Sequence, residues 1–374
     1  MKIYISKDRA DILMGLVRNN DLPFHIEHSQ WEFVDDISDA DVIPIVKAPY
    51  RVVSYPNIDM TVSLEQQVQY LNKIAKGKCI LVMVHTHVSE SHGPNVTDMH
   101  VEPFEEVSEH VYQVTPNHKS KHPNHIFHDF YLNMCKAYFC EYSTYDLKLD
   151  RLWSANSNGK SYDLLPIEES NPTKKFLVPN NVRFNTNEYK EHARMELRKI
   201  TSDEECYFSD FQRGITLDPE ESGLDLCYTD DGAGFIPIAN KYYKDTVVSV
   251  YVETIGGSNL HPDQVGVMTE KTFSPFIKGH FMLPFSAPGF VQFLKSQYGF
   301  KFPDWIDYNY DSIYNDDDRL TAYLNSVKKL KSLPLTKLVE LANRDIELRQ
   351  HNRQLMYDLP YDSLHDKVKA RISK

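Results

Sequence analysis

The run KCILVMVH (78–85) restricts the fold more than any other part of the chain, because its central positions are all apolar. A strand without alternating polar positions is buried on both faces, which is typical of a parallel sheet with helices on each side. Similar apolar runs occur at 247–253 and 280–285, and amphipathic helices are predicted at 63–77 and 188–200. The alternation predicts an α/β protein made of βαβ units, the Rossmann-like pattern.

Further elements follow from the same periodicities. Strands are predicted at 2–6, 39–46 and 174–180, and helices at 8–20, 317–332 and 335–357. The helix predicted at 335–357 is long enough to lie across two domains.

A chain of 374 residues is too long for one typical core, and its length fits two domains. The turn-rich stretch at 151–172 is a natural link between them. We predict an N-terminal domain at 1–168, a second domain at 169–334, and a C-terminal segment at 335–374 whose helix packs back on the N-terminal domain.

Composition narrows the functional classes. The formal net charge of -12 argues against a protein that coats nucleic acid over its whole surface, although it leaves room for a local basic patch. No apolar run approaches the ~20 residues of a membrane span, and the N-terminus begins with a strand-like run instead of a signal peptide. The five cysteines include no CxxC pair, which is typical of reduced thiols and predicts a cytoplasmic protein.

The sequence Thr269-Glu270-Lys271-Thr272 lies between two of the apolar runs and is predicted to begin a helix. A helix start near the carboxyl end of a strand presents backbone amides and a positive dipole, so it is a natural place for a phosphate group. The same four residues also fit a plain helix cap with no ligand.

The segments around this helix resemble a known family. The stretch VYVET, followed by GVMTEKTFSPFIKGHFMLPFSAPGFVQFLKSQYGF, is similar to the C-terminal half of phage- and virus-type GT-B glycosyltransferases. KKFLVPNNVRFNTNEYKEHARMEL (174–197) resembles the segment that opens the donor domain of that family, and DIELRQHNRQLM (345–356) resembles its closing helix. Together these matches cover about half of the chain, from Lys174 to Met356.

The resemblance implies two Rossmann-like domains that face a cleft, with a long C-terminal helix crossing between them. It implies a hexosyl- or pentosyltransferase whose donor is a nucleotide sugar, with UDP the expected nucleotide. Glu270 would bind the ribose hydroxyls, and Lys271 would lie near the diphosphate. The remaining donor-site residues that it implies are Thr269, Thr272, Asn181, Arg183, Arg194, Glu253 and Thr254. The family places His and Arg side by side, whereas one residue separates His192 from Arg194 here.

A histidine-rich segment, VHTHVSESHGPNVTDMH (84–100), follows the buried strand at 78–85. Ligands of α/β proteins bind at the carboxyl edge of the sheet, so this segment supplies the candidates for the base that activates an acceptor hydroxyl. The candidates are Glu90, His87, His85 and Asp98. The same residues with His92 leave open a metal-dependent hydrolase, since imidazoles at i and i+2 can chelate zinc. They also leave open a histidine-rich surface loop that has no chemical role.

The acceptor is the part that the sequence defines least. Phage enzymes of this type often glycosylate modified bases, so a 5-hydroxymethylated pyrimidine in double-stranded DNA is a possible acceptor. Lys119, Lys121 and His122 are the candidates for a DNA contact, with the lysines of 328–337 as a second basic group. No metal is obligatory in the GT-B mechanism, and Asp316-Asp317-Asp318 is predicted to begin a helix instead of binding a metal. A non-catalytic protein that binds nucleotide sugars is a further alternative.

Overall fold

A computed structural model of the chain describes residues 1–4, 31–34, 36–47, 52–53, 78–84, 111–115, 118, 124–136, 167, 171–179, 188–208, 240–253, 268–360 and 362–373. The chain divides into two compact units. Unit 1 comprises Met1–Phe130 and Asp362–Lys374, and unit 2 comprises Tyr131–Tyr361. The chain therefore leaves the first unit once and returns to it for its last residues.

Within the described ranges, the strands of unit 1 form a sheet that is parallel except where one short strand pairs antiparallel with its neighbour. Its strands are β1 (Lys2–Tyr4), β2 (Glu32–Val34), β3 (Val42–Lys47), β4 (Val52–Val53), β5 (Cys79–Val84), β6 (Val111–Thr115) and β7 (His125–Phe127). Their order is β2-β1-β3-β5-β6-β7, and β4 pairs antiparallel with β3. The predicted strands at 2–6, 39–46 and 78–85 are confirmed, and β3 and β5 pair in parallel over their full length. The helices predicted at 8–20 and 63–77 lie outside the described residues.

The last helix of the chain completes the core of unit 1. A buried cluster on one face of the sheet includes Ile3, Leu81 and Ile126, and the helix Leu364–Ile372 adds the fully buried side chains of Leu364 and Val368 to it. Ser363 accepts a hydrogen bond from the Asp366 amide and so caps the start of this helix. The segment that follows unit 2 in sequence is therefore part of the hydrophobic core of unit 1.

The strands described in unit 2 form an entirely parallel sheet. Its strands are β8 (Phe176–Val178), β9 (Cys206–Phe208), β10 (Val248–Val252) and β11 (Phe281–Phe285), in the order β11-β10-β8-β9. The predicted strands at 174–180, 247–253 and 280–285 are confirmed. Both sheets begin with the same arrangement, in which the second strand lies on one side of the first and the third strand on the other.

Helices cover both faces of this second sheet. The helices of the described ranges are α1 (Phe130–Lys136), α2 (Glu188–Ile200), α3 (Asn240–Lys244), α4 (Glu270–Lys278), α5 (Phe290–Phe293, continued by a π-helix at Leu294–Tyr298), α6 (Asp316–Ser332), α7 (Leu335–Arg344), α8 (Ile346–Asp358) and α9 (Leu364–Ile372). One face packs Val248, Val250 and Val252 against side chains of α2, α6 and α7. The opposite face carries Ser249 and Tyr251 toward α3 and α4. The apolar runs are thus buried on both faces, as their composition predicts.

The helices after residue 300 differ in one respect from the sequence prediction. The helix predicted at 317–332 is present as α6, and Asn315 caps it by accepting from the Asp318 amide. The single helix predicted at 335–357 is instead two helices, α7 and α8, separated at Asp345. The Asp345 carboxylate accepts from Trp305 Nε1 at 3.0 Å and from Arg344 Nε at 2.7 Å, and these contacts fix the break. Both helices belong to unit 2. Of the helices in the segment predicted at 335–374, α9 is the one that lies in unit 1.

Strand β11 forms an edge of the sheet in unit 2, and an aromatic segment covers it. Pro284 lacks an amide hydrogen and is therefore tolerated on an edge strand. The Tyr308 hydroxyl donates to the Met282 carbonyl at 2.8 Å, and Tyr310 donates to the Pro284 carbonyl. The tyrosines thus satisfy carbonyls that could otherwise accept hydrogen bonds from another strand.

Two expectations from composition can be compared with the structure. In the described ranges, no helix combines the length and the apolar character that crossing a membrane requires. Cys79, Cys135 and Cys206, the cysteines among the described residues, are buried thiols. Burial raises the pKa of Cys79 to about 12 and that of Cys206 to about 11, so both remain thiols at neutral pH.

We expect Leu364→Ala in α9 to destabilise unit 1 by about 3 kcal/mol, because it leaves a cavity in a fully buried position. Thermal denaturation with hydrogen exchange of β1, β5 and β6 measures the effect. The exposed Lys369→Ala on the same helix is the control and should change stability by less than about 0.5 kcal/mol. Equal losses in the two variants would contradict the assignment of α9 to this core.

Candidate functional site

The topology of unit 2 locates one position at which ligands bind in α/β proteins. The chain proceeds from β8 to β9 on one side and then to β10 on the other side of β8, so the strand order reverses between β8 and β10. A crevice forms at such a switch point, outside the carboxyl ends of the two strands. Strand β8 ends at Val178 and β10 ends at Val252, so the residues that follow them flank this position.

Glu253 follows β10 directly and is completely buried. Its carboxylate accepts three hydrogen bonds from the start of α4. The donors are the Thr269 amide at 2.9 Å, the Thr269 hydroxyl at 2.7 Å and the Thr272 hydroxyl at 2.6 Å. The carboxylate also lies at the positive end of the helix dipole, so the two interactions that stabilise a buried anion are both present. Glu253 therefore fixes the first turn of α4 over the end of β10.

Two further hydrogen bonds extend this network. The Lys271 amide donates to the Thr269 hydroxyl at 3.3 Å, which makes Thr269 the N-cap of α4. The Tyr251 hydroxyl donates to the Thr272 hydroxyl at 3.2 Å. Burial and the charge of Glu253 raise the pKa of Tyr251 well above its usual range, so Tyr251 stays protonated and remains a donor. Each of the two threonine hydroxyls in the network both donates and accepts.

The other end of α4 is fixed as firmly as its start. Gly279 ends the helix in the left-handed conformation, at φ 67°, where a side chain would be strained and would clash with Ile167. Arg353 of α8 donates from Nε to the Ile277 carbonyl at 2.6 Å. A cationic side chain at this end also complements the helix dipole. The helix at 346–358, which contains most of the predicted closing segment, therefore supports α4 directly.

His280 joins the end of α4 to β10 on the same face of the sheet. Its ring nitrogens lie 2.8 Å from the Ser249 hydroxyl and 2.9 Å from the Thr246 carbonyl. Burial lowers the pKa of His280 from 6.5 to about 4, so the imidazole is neutral at physiological pH. This histidine is a structural bridge between strand and helix.

A second carboxylate has the same capping function at the next helix start. Asp311 accepts from the Val291 and Gln292 amides, each at 3.0 Å, at the beginning of α5. Gly289 precedes this helix with φ 77° and donates its amide to the Asp311 carbonyl at 2.6 Å. Asp311 was not among the residues singled out from the sequence, since it is distant in the chain from the turn that it caps.

The structure brings together five of the predicted donor-site residues. Thr269, Thr272 and Glu253 are buried and bonded to one another, which gives them the role of positioning the helix. Lys271 is half-buried in the first turn of α4, and Glu270 is the first residue of that helix. The cluster thus has a buried layer that holds the helix and a first turn that carries an acidic and a basic residue.

Arg194, another predicted donor-site residue, lies in the middle of α2 and is buried. Its guanidinium binds the Glu191 carboxylate through Nε at 2.9 Å and through a terminal nitrogen at 2.6 Å. It lies about 9 Å along the helix axis from Glu188, where α2 begins. Its observed role is an ion pair within the helix.

The remaining predicted site residues lie outside the described residues. They are Glu90, His87, His85, His92 and Asp98 of the histidine-rich segment, Asn181, Arg183 and Thr254 of the donor set, and Lys119, Lys121 and His122 of the acceptor set. Among the described residues, no group of three His, Cys, Asp or Glu side chains has the arrangement to hold a metal ion.

The lysines of 328–337 are described, and most of them have acidic partners. Lys329 pairs with Asp307 at 3.5 Å, Lys331 with Glu205 at 3.1 Å, and Lys337 with Glu340 at 2.6 Å. These ion pairs reduce the positive charge available to a nucleic acid. The predicted acceptor contact therefore depends on the segment that contains Lys119 and Lys121.

No protein-family model matches the chain, and no curated protein matches its sequence.

We expect Glu253→Gln to destabilise the protein by about 2 kcal/mol, because the amide nitrogen of glutamine cannot accept the bonds that the carboxylate oxygen receives. Thermal denaturation should show the loss, and hydrogen exchange should show faster opening at the start of α4. Glu340→Gln, which removes an exposed carboxylate from α7, is the matched control with a loss below about 0.5 kcal/mol. A Glu253→Gln variant as stable as this control would contradict the role given to Glu253.

Proposed function

We propose that this protein is a glycosyltransferase of the GT-B type, in which unit 2 binds a nucleotide sugar, with UDP as the expected nucleotide. The proposal includes an N-terminal domain that receives the acceptor. The observation that carries it is the start of α4, which Glu253 holds at the carboxyl edge of a parallel sheet beside the switch point. A rigid helix start in that position is the arrangement that α/β proteins use for phosphate groups.

The agreement between sequence resemblance and contacts supports the same proposal. The resemblance rests on separate segments of the chain, at 174–197, 250–300 and 345–356. In the structure, β8, β10, α4 and β11 belong to one unit, and α8 contacts α4 through Arg353. Segments that are distant in sequence thus lie in one unit, and the segment 345–356 contacts the helix that begins at Glu270.

The donor-site roles are those that the family resemblance implies for these residues. Lys271 binds the diphosphate and neutralises the charge that develops on it as the sugar leaves. Glu270 binds the ribose hydroxyls. The buried residues Glu253, Thr269 and Thr272 keep the helix start rigid, so no binding energy is lost in ordering it.

We also propose that the acceptor of the sugar is a hydroxymethyl group on a pyrimidine of double-stranded DNA. The contact would involve the segment that contains Lys119, Lys121 and His122. The base that activates the hydroxyl would come from the histidine-rich segment, with His87 and Glu90 as its first candidates. Reaching a base within a duplex requires that it be flipped out of the stack.

We expect Lys271→Ala to weaken binding of the nucleotide sugar by at least about tenfold and to abolish transfer, since it removes a charged hydrogen bond to the diphosphate. Isothermal titration with UDP-glucose and other nucleotide sugars measures the affinity. A transfer assay read by mass spectrometry names the product. The fold should be retained in thermal denaturation.

The matched control is Lys278→Ala at the opposite end of the same helix, where the ammonium donates to Asn240 at 2.6 Å. It removes the same charge and should keep the affinity within about twofold, because the diphosphate binds at the other helix end. Unchanged affinity in Lys271→Ala, or no binding of any nucleotide sugar by the unmodified protein, would overturn the donor-site proposal.

The acceptor proposal has a separate test. The affinity for a hydroxymethylated duplex should fall at least tenfold between about 50 and about 200 mM salt, because binding releases counterions from the phosphates. Fluorescence anisotropy with hydroxymethylated and unmodified duplexes measures it. Salt-independent binding, or none, would eliminate DNA as the acceptor and leave the donor site unaffected.

A further inference from the structure

Ser286 follows β11 directly and is buried, with 3% of its surface exposed. Its hydroxyl oxygen is inaccessible to solvent and has no hydrogen-bond partner in the described part of the chain. A buried hydroxyl without a partner costs stability, so native proteins retain few of them. Ser249, which lies on the neighbouring strand, is buried as well but has His280 as its partner.

The position of Ser286 places it beside the network of Glu253. Val252 pairs with Phe285 as the last pair of the β10–β11 ladder, and the Glu253 amide donates to the Phe285 carbonyl at 2.8 Å. Ser286 is therefore the neighbour of Glu253 across the two strands, about 5 Å away between Cα atoms.

Strand alternation indicates the face on which the Ser286 side chain lies. Phe281, Leu283 and Phe285 belong to the core on one face of the sheet. Met282 lies on the other face, where its sulfur contacts the Tyr251 hydroxyl. Ser286 is four residues after Met282, so strand alternation places its side chain on the same face of the sheet. Its hydroxyl is therefore directed to the face that α4 covers, at the end where α4 begins.

We propose that Ser286 is a binding residue for the donor, and that its hydroxyl donates a hydrogen bond to a phosphate oxygen of the nucleoside diphosphate. The inference rests on the proposed function and extends it to a residue that the sequence did not single out. Three groups then converge on the diphosphate: the start of α4, the Lys271 ammonium and the Ser286 hydroxyl.

The chemistry of the surroundings favours a phosphate oxygen over a sugar hydroxyl. The Glu253 carboxylate already receives three hydrogen bonds, whereas Ser286 has a hydrogen to donate. A ligand group between this hydroxyl and the first turn of α4 meets the Ser286 donor on one side, and on the other the positive end of the helix dipole in the turn that carries Lys271. An anionic acceptor satisfies that position best.

The test compares Ser286→Ala with Ser249→Ala, two deletions of a buried hydroxyl on adjacent strands. The probes are five nucleoside diphosphates (UDP, GDP, ADP, CDP and TDP) and UDP-glucose, titrated against each full-length protein. We expect Ser286→Ala to lower the affinity for whichever nucleoside diphosphate the unmodified protein binds by about tenfold. This is the effect of losing one charge-assisted hydrogen bond. Its melting temperature without ligand should be unchanged or higher, since an unsatisfied group is removed.

Ser249→Ala should show the opposite pattern, with a lower melting temperature and an unchanged affinity, because it removes a bond that holds His280. Equal affinities of Ser286→Ala and the unmodified protein would overturn the inference while leaving the proposed function intact. A loss seen with UDP-glucose but not with UDP would also overturn it, since the contact would then be with the sugar. If the unmodified protein binds none of the probes, the proposed function fails and this inference fails with it.

Discussion

The buried carboxylate of Glu253 is the interaction on which the arrangement of unit 2 depends. A charge without solvent access is tolerated only where several donors surround it, and here the donors come from the start of α4. The stabilisation is mutual, because the donors at the helix start need an acceptor as much as the carboxylate needs donors. One side chain at the end of a strand thus determines where the following helix begins.

The remaining contacts of α4 reinforce this placement at its far end. Arg353 binds the Ile277 carbonyl, and Gly279 allows the chain to turn back into β11. A helix held at both ends has little freedom to shift along the sheet, so its first turn is already formed. Part of this rigidity comes from α8, which contacts the opposite end of α4.

The sequence predicts the parts of the fold that depend on periodicity. The apolar runs at 78–85, 247–253 and 280–285 correspond to strands, and α2 has the bounds predicted for it, because burial on both faces and amphipathic spacing are local signals. The break at Asp345 could not be predicted, since it depends on Trp305, forty residues earlier in the chain. Nor does any local pattern indicate that α9 joins the core of unit 1, because that contact is fixed by tertiary packing.

The same distinction explains what the sequence shows of the candidate site. Thr269 to Thr272 can be recognised as a helix start, but the pattern does not reveal which side chains are already bonded to the protein. The hydroxyls of Thr269 and Thr272, two of the predicted donor-site residues, donate to Glu253. The hydroxyl of Ser286, an inconspicuous residue after an apolar strand, has no hydrogen-bond partner among the described residues. A binding residue differs from a structural one in having bonds still to make, and that property is visible only when every donor and acceptor has been assigned.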